Sequence, residues 1–405
     1  VFLSVMILNL RKEEELLLCC SNAKIKPDID DKITSLLSED LDWKYLIKMA
    51  SYHRFKPILY WHINRTRSQN VPEDIRIALK DYYEYNLQKN LLMWGELLNI
   101  SKKCDENGLK IIPYKGSILA LMAYDNLSLR EFDDIDLYVS YEDIPKVKKI
   151  LISSGYELST QLTNSQEKVY NKFQRELTLI NKFNNILVEL KWKFPVPSFS
   201  FQEDPNIILS SGSQKIELNH AKIETLTPEY LLILLSLHNA GHYWPYLSWI
   251  CDISELLKSQ KFFDWPLALD TASRIGACRI LNLNLLLSYD LFETKIPVNV
   301  LSQLKQDDVA KVVSEKIKNN LFSNKGQLNL NEKIILRLKI RENKINKTKD
   351  FFKLIFNPTT EVITSTQLHY YLYPAYFFLR LIQIIKNIFK EHLLSKSNFI
   401  NNKEH

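Results

Sequence analysis

KGSILALMAYDNLSLREFDDID, Lys115 to Asp136, is the stretch whose reading decides the fold. It follows the apolar run Leu109-Lys110-Ile111-Ile112-Pro113-Tyr114 and ends on Asp134-Ile135-Asp136, which leads into Leu137-Tyr138-Val139. The pattern predicts a strand over 109–114, a tight turn at Gly116-Ser117, a short helix over 118–124, a loop, and a second strand over 135–139. Residues two apart on a strand share a face, so Asp134 and Asp136 project together. Neighbouring carboxylates repel one another, and a hard divalent cation removes that cost. A Gly-Ser turn entering a helix offers free backbone N–H groups to an anion such as phosphate. A phosphate site, a metal site and a joining helix in one short unit point to nucleotide chemistry.

Further on, 176–180 alternates and predicts a strand. Residues 185–191, NILVELK, predict its partner, with Asn184-Asn185 at the turn. In Ile186-Leu187-Val188-Glu189-Leu190 one carboxylate interrupts an apolar run. Such runs are buried strands, and a lone acid in one needs a reason. Facing Asp134 and Asp136 across the sheet and sharing their metal supplies one. The plainer reading pairs Glu189 with Lys191 or Lys193 at a sheet edge. A helix over 141–154, stopped by Gly155, lies between these strands.

Helical spacing dominates on both sides. Short helices are expected over 13–20, from Asp42-Trp43, and over 55–63. Another starts at Val71-Pro72-Glu73-Asp74, and a long amphipathic run covers 77–104, stopped at Asn107-Gly108. The chain turns helical again at Thr227-Pro228-Glu229. Apolar helices follow over 231–238 and 244–257, then a leucine-rich helix, or two, over 267–292. The lysine- and asparagine-rich part from 300 to 355 patterns more weakly. Tyr370–Leu394 reads as a packed amphipathic helix, with an interfacial membrane helix as the rival reading. Ser395–His405 reads as a polar tail.

At 405 residues the chain is long enough for two or three domains. Its net charge of +6 permits an anionic substrate without demanding a nucleic acid. None of the five cysteines sits in a C-x-x-C pair, which argues against a zinc site or a disulfide framework and for a reducing cytoplasm. The apolar residues 1–10 lack a basic lead-in and make a poor signal peptide, and Met6 is a candidate start. No charge-free apolar run reaches the ~20 residues that a spanning helix needs.

With Gly116-Ser117, Asp134-Ile135-Asp136 and Glu189 in place, the chain resembles the DNA polymerase β-like nucleotidyltransferase superfamily. More narrowly it resembles the family labelled uncharacterised nucleotidyltransferase family 5. The resemblance also rests on Asp42-Trp43, His53 with Pro57-Ile58-Leu59-Tyr60, Arg130, Gly155-Tyr156 and Glu189-Leu190-Lys191-Trp192. Leu226-Thr227-Pro228-Glu229, His238, Trp249 and Asp252 extend it over about 13–292, and Tyr370-Tyr371 to Arg380 echo it more weakly. Sixteen residues, 118–133, separate Gly-Ser from the first aspartate. That spacer is long for the superfamily and usual for the narrower family. Where members often carry a histidine after the strand carboxylate, this chain has Lys191.

The resemblance implies an α+β fold: a small mixed β-sheet nucleotidyltransferase core, polymerase β-like, at 108–222. N-terminal (1–107) and C-terminal (223–405) helical domains flank it. It implies a cytoplasmic, Mg2+-dependent nucleotidyltransferase that moves a nucleoside monophosphate from an NTP such as ATP to a hydroxyl-bearing acceptor, releasing pyrophosphate. Asp134, Asp136 and Glu189 would be catalytic and hold two Mg2+ (or Mn2+) ions. Lys115, Gly116, Ser117 and Arg130 would bind the nucleotide. The acceptor would be a small molecule, glycan or peptide of polysaccharide or natural-product biosynthesis rather than RNA or protein. The rival readings are a toxin-like enzyme modifying tRNA or protein and a non-catalytic nucleotide-binding module. Asp133 points away from the pair by strand alternation and is expected as a cap or supporting acid. His238 and His242 have metal-ligand spacing, with Asp252 the nearest candidate for a third ligand. A packed histidine and a surface one is the plainer reading.

Overall fold

The computed structural model describes residues 10–24, 27–66, 68–193, 199–200, 212–323 and 328–387. Met6, the polar tail and the end of the aromatic segment lie outside them. Helices α1 (Lys12–Cys19), α2 (Pro27–Leu37), α3 (Trp43–Tyr52) and α4 (Lys56–Thr66) come first. Asp42 caps α3 by accepting from the Tyr45 N–H at 2.9 Å. Pro57 sits in the first turn of α4, where a missing N–H costs nothing. The helix start at Pro72 and the long amphipathic run belong to one helix, α5 (Glu73–Glu106), of 34 residues. At 1.5 Å per residue it is about 51 Å long.

The α/β part follows: β1 (Ile111–Pro113), α6 (Gly116–Tyr124), β2 (Asp134–Val139), α7 (Ile144–Ser153), β3 (Tyr156–Leu158), α8 (Asn164–Phe173), β4 (Glu176–Asn181) and β5 (Leu187–Lys191). These strands form a five-stranded mixed sheet in the order β1-β2-β5-β4-β3. Only the β2–β5 pair is parallel, with Asp136 opposite Glu189. On the far face Ile135, Leu137, Val139, Leu177, Leu179, Val188 and Leu190 are buried in one cluster with Met93, Trp94, Leu97 and Ile100 of α5. That burial fixes which face carries the charged residues.

Some elements carry too weak a pattern for the sequence to announce. Helix α8 is polar and rests on a capping box between Thr163 and Gln166. The separate hairpin β6 (Ser213–Leu218) and β7 (Ala221–Leu226) turns at Asn219-His220, both at positive φ. The glycine that usually marks such a turn is missing. The Thr225 hydroxyl donates to the Pro113 carbonyl at 2.5 Å and ties the hairpin to β1.

Further helices are α9 (Pro228–Gly241), α10 (Leu247–Ser259), α11 (Trp265–Ile275), α12 (Cys278–Phe292), α13 (Val298–Leu304), α14 (Asp308–Leu321), α15 (Leu330–Lys339), α16 (Lys344–Phe356) and α17 (Thr360–Thr364), and residues 375–387 are helical as well. The leucine-rich run is thus two helices, broken at Gly276, where φ is +71°. Helices from both ends of the chain share one core. Leu16, Ile33 and Leu59 are fully buried in the same cluster as Leu234, Ile250 and Leu285. His53 spans the two groups: its Nδ1 accepts from Leu247 N at 3.2 Å, and its Nε2 lies 3.1 Å from the Leu321 carbonyl. Burial lowers its pKa to about 4, so it packs as a neutral ring. The C-terminal aromatic segment lies on α8, with Lys172 over Tyr373 and Phe173 against Phe377. Among the described residues no helix is long and apolar enough to cross a membrane.

Helix α5 also holds the loop that precedes β2. The Asn90 amide, fully buried, donates to the carbonyls of Leu127 at 2.6 Å and Arg130 at 2.8 Å. Asn86 donates to Ser128 O at 2.9 Å, and the Tyr82 hydroxyl donates to Glu131 at 2.8 Å. Removing the Asn90 amide strands the Leu127 carbonyl and leaves the Arg130 carbonyl only a 3.3 Å bond from Asn86. Asn90→Ala is expected to lower unfolding free energy by about 1–3 kcal/mol, measured by urea denaturation. An unchanged midpoint would show that the loop holds itself.

Candidate active site

Strand pairing assembles the site. Asp136 lies opposite Glu189, and Glu176 lies opposite Lys191. With Asp134, these side chains share the exposed face of the sheet. Asp134, Asp136 and Glu189 each offer an oxygen within 4.8 Å of the others. They line a cavity of about 400 Å³, whose wall also includes Lys115, Gly116, Arg130, His238, Trp249 and Asp252. The sequence-predicted triad therefore comes together. Asp133, expected to point away, pairs with Lys89 at 2.8 Å and Arg54 at 3.1 Å at the cavity edge.

Two ammonium groups stand among these carboxylates. Lys191 Nζ lies 2.6 Å from Glu189, 2.7 Å from Glu176 and 3.1 Å from Asp136, and its side chain is 6% exposed. Lys115 Nζ lies 3.2 Å from Asp136 Oδ2. The plainer reading of Glu189, a pair with Lys191, thus holds together with the metal-site reading. Burial works to raise the Asp136 pKa, but Lys115 and Lys191 outweigh it and hold the carboxyl at about 2. Asp134 lacks such close partners. Burial, then the charge of Asp136, push it up to about 7. Burial also raises Glu189, against the pull of Lys191. Burial opposes the Lys191 charge, yet its anionic neighbours raise its pKa well above the ordinary value.

The Gly-Ser turn is the first turn of α6, so the helix begins two residues earlier than the sequence pattern predicts. Gly116 has φ +51°, and a Cβ there would lie 3.1 Å from the Asp134 carbonyl. Only glycine allows both the conformation and the close approach to β2. The helix N-terminus therefore abuts the carboxylates, and its first amides have no partners within the helix. Gly116 and Lys115 line the cavity, while the Ser117 side chain is buried and is not part of the wall.

Arg130, expected at the triphosphate, lines the cavity and also makes a buried bidentate pair. Its Nε and Nη2 donate to Asp252 of α10 at 2.8 and 2.9 Å. The Tyr124 hydroxyl donates to the same carboxylate at 2.8 Å. Nη1 has no hydrogen-bond partner and belongs to the cavity wall residue. This pairing also removes Asp252 as a third ligand for the histidines.

His238 and His242 pack against each other and against Trp249 at tilted to edge-on angles, with centroids 4.3–5.4 Å apart. Lys115 Nζ is 3.4 Å from His238 Nδ1. Burial, then Lys115, lower both imidazole pKa values, His242 to about 4, although His242 keeps an exposed edge. His238 is packed against Trp249 and His242 is exposed, as the plainer reading has them, and both line the cavity. A second cavity of about 270 Å³ adjoins this wall. His242 and Trp249 belong to both, and Tyr52, Tyr243, Tyr246, Asn320 and Lys333 line the second. Sequence spacing gave no sign of Glu176 or Tyr246 as site residues, and Lys191 stood out only as a partner of Glu189 and a departure from the family.

A helix N-terminus beside three carboxylates on a small mixed sheet can hold a phosphate chain and a hard cation side by side. The model of the uncharacterised nucleotidyltransferase family matches residues 39–293, and the chain belongs to that family. The match spans every residue of the cavity wall and supports nucleotidyl transfer as the general activity. No curated protein matches the chain significantly.

The raised pKa of Asp134 has a consequence for stability. Its folded value, about 7, exceeds its ordinary 3.8. The folded state therefore holds a proton that the unfolded state releases, and stability falls as pH rises from about 4 through about 7. At 1.36 kcal/mol per pKa unit the loss is up to about 4 kcal/mol. Chelated Asp134→Asn should lack this decline and be more stable than wild type at pH 8, measured by denaturation at pH 5 and 8. Parallel pH profiles would place Asp134 in contact with water.

Proposed function

We propose that this protein transfers a nucleoside monophosphate from a nucleoside triphosphate to a hydroxyl-bearing acceptor and releases pyrophosphate, in a reaction dependent on Mg2+ or Mn2+. The observation that carries this reading is the convergence of Asp134, Asp136 and Glu189 oxygens within 4.8 Å beside the N-terminus of α6. The residues fit a hard cation. All donors are carboxylate oxygens, and among the described residues the only close partner of buried Asp136 Oδ2 is the Lys115 ammonium at 3.2 Å. Asp134, Asp136 and Glu189 would hold the metal, which would lower the pKa of the acceptor hydroxyl and neutralise charge on the pyrophosphate.

The chain's own groups do the rest. Phosphate oxygens would meet the first-turn amides at Gly116 and Ser117, the ammonium of Lys115 and the unpaired Nη1 of Arg130. Here the Arg130–Asp252 pair fixes the guanidinium plane and leaves Nη1 buried and without a hydrogen-bond partner. The acceptor oxygen bonds to the α-phosphorus while the bond to the bridging oxygen of the β-phosphate breaks. Glu189 receives the hydroxyl proton. The aromatic wall at Trp249 and the adjoining 270 Å³ cavity support a small acceptor over a polymer. We assign the work of the three carboxylates to the 108–222 part of the chain and the acceptor wall to the helices after it.

Asp134→Ala and Asp136→Ala should each lose roughly a thousandfold or more in transfer, equivalent to about 4 kcal/mol of transition-state stabilisation. The assay follows label from each α-labelled nucleoside triphosphate, with Mg2+, into acceptors in a cell extract. Circular dichroism checks the fold of each variant. Full activity in either folded variant would sink the assignment.

A further inference from the structure

Lys191 is a buried cation that the transfer reaction as described does not use, and its position is unusual. It leaves β5 two residues after Glu189, so both side chains share a face. The strand register then brings Asp136 of β2 and Glu176 of β4 to the same ammonium. Its Nζ contacts three carboxylates at 2.6–3.1 Å, two of which, Asp136 and Glu189, belong to the candidate metal triad. Asp134, the third, is not among its partners. The neighbouring Lys115 reaches only the outer oxygen of Asp136. The acidic cluster is thus divided: one half is neutralised by a tethered ammonium, and the other half, around Asp134, is not.

We infer that Lys191 is a resident cation that takes the place of an acceptor-side metal between Asp136 and Glu189, so that the site loads one divalent ion with its nucleotide, not two. The inference rests on the reading of the site as metal-dependent. A divalent ion bridging Asp136 and Glu189 would have to lie about 2.0–2.1 Å from the same oxygens if it were Mg2+. That position falls within contact distance of Nζ, and two positive charges cannot share it. Expelling the ammonium would strip it of three partners in a site where its side chain is 6% exposed. An ion bound by Asp134 and Oδ2 of Asp136 would displace only Lys115, whose ammonium meets that one carboxylate at 3.2 Å and not three. Lys191 would then supply fixed positive charge beside the acceptor oxygen. It would also keep Glu189 ionised to receive the proton.

The test counts ions. Full-length protein is titrated with Mn2+ in the presence of a nucleoside triphosphate whose α,β-bridging oxygen is replaced by methylene, and bound Mn2+ is read by electron paramagnetic resonance. Wild type and Lys191→Arg should each bind one ion per chain. Lys191→Met, with similar length and no charge, should bind two. In the absence of nucleotide its affinity for Mn2+ should be at least about tenfold tighter, since the competing charge is gone. Two ions in wild type would overturn the inference, and that measurement stands even if Lys191→Met fails to fold. One ion in both wild type and a folded Lys191→Met would also overturn it. Nucleotide-independent loss of all binding in wild type would instead overturn the metal-dependent reading beneath it.

Discussion

The parallel pairing of β2 with β5 is the constraint on which the rest of the site depends. It puts Asp136 opposite Glu189 and, through β4, Glu176 opposite Lys191. A slip of one residue would send every one of these side chains to the other face of the sheet. What prevents the slip is the apolar face. Seven buried aliphatic side chains from β2, β4 and β5 pack there against α5. Burial of each is worth about 1.5–3 kcal/mol, so the gross preference for this register is at least about 10 kcal/mol. The opposing cost of holding Asp134 ionised is up to about 4 kcal/mol. The sheet can therefore carry a destabilising acidic cluster, and the cluster's strain does not decide the fold.

A second constraint sets the roof of the cavity relative to this floor. The loop before β2 is held from one side by Asn86 and Asn90 of α5 and from the other by Asp252 of α10, which binds Arg130 through two nitrogens. A buried ion pair is weak evidence for stability, because desolvation of both charges offsets their attraction. Its value here is positional. A guanidinium fork meets a carboxylate in one plane, so α10, with Trp249, is fixed in register with the strand that carries the aspartates.

Four of the sheet's five strands and its carboxylates were legible in the sequence for a local reason, while the three-residue β3 was not. Alternation, the Gly-Ser turn and a lone acid in an apolar strand are patterns within a few residues of each other. The hairpin at Asn219-His220 was not legible, because its turn lacks glycine and its strands are half exposed. Helix α8 was hidden by its polar composition. Among site residues, Asp134, Asp136, Glu189, Lys115 and Gly116 stand where the pattern puts them. Arg130 was seen as a ligand for phosphate, but its main partner lies 122 residues away. Lys191 appeared as a departure from the family and as the alternative partner of Glu189. Only three-dimensional register shows that it joins three carboxylates at once. The helices before and after the sheet were read as separate parts, yet they share one core, since periodicity reports a buried face and not what covers it.

The charge pattern of the assembled cavity then constrains how substrate can arrive. Asp134, Asp136, Glu189 and Glu176 face Lys115 and Lys191, while Arg130 and Asp252 cancel and the two imidazoles are neutral. Four carboxylates against two ammoniums leave the cavity anionic, relieved in part by the proton on Asp134. A bare triphosphate would be repelled from such a floor even with the helix N-terminus beside it, because a helix end contributes only about half a charge. A triphosphate that carries a divalent cation reverses the interaction at Asp134, the one carboxylate of the triad without an ammonium at hand. In the proposed reaction metal and nucleotide would therefore favour each other's binding. The metal would displace the proton on Asp134, so binding of the complex should strengthen with pH up to about 7.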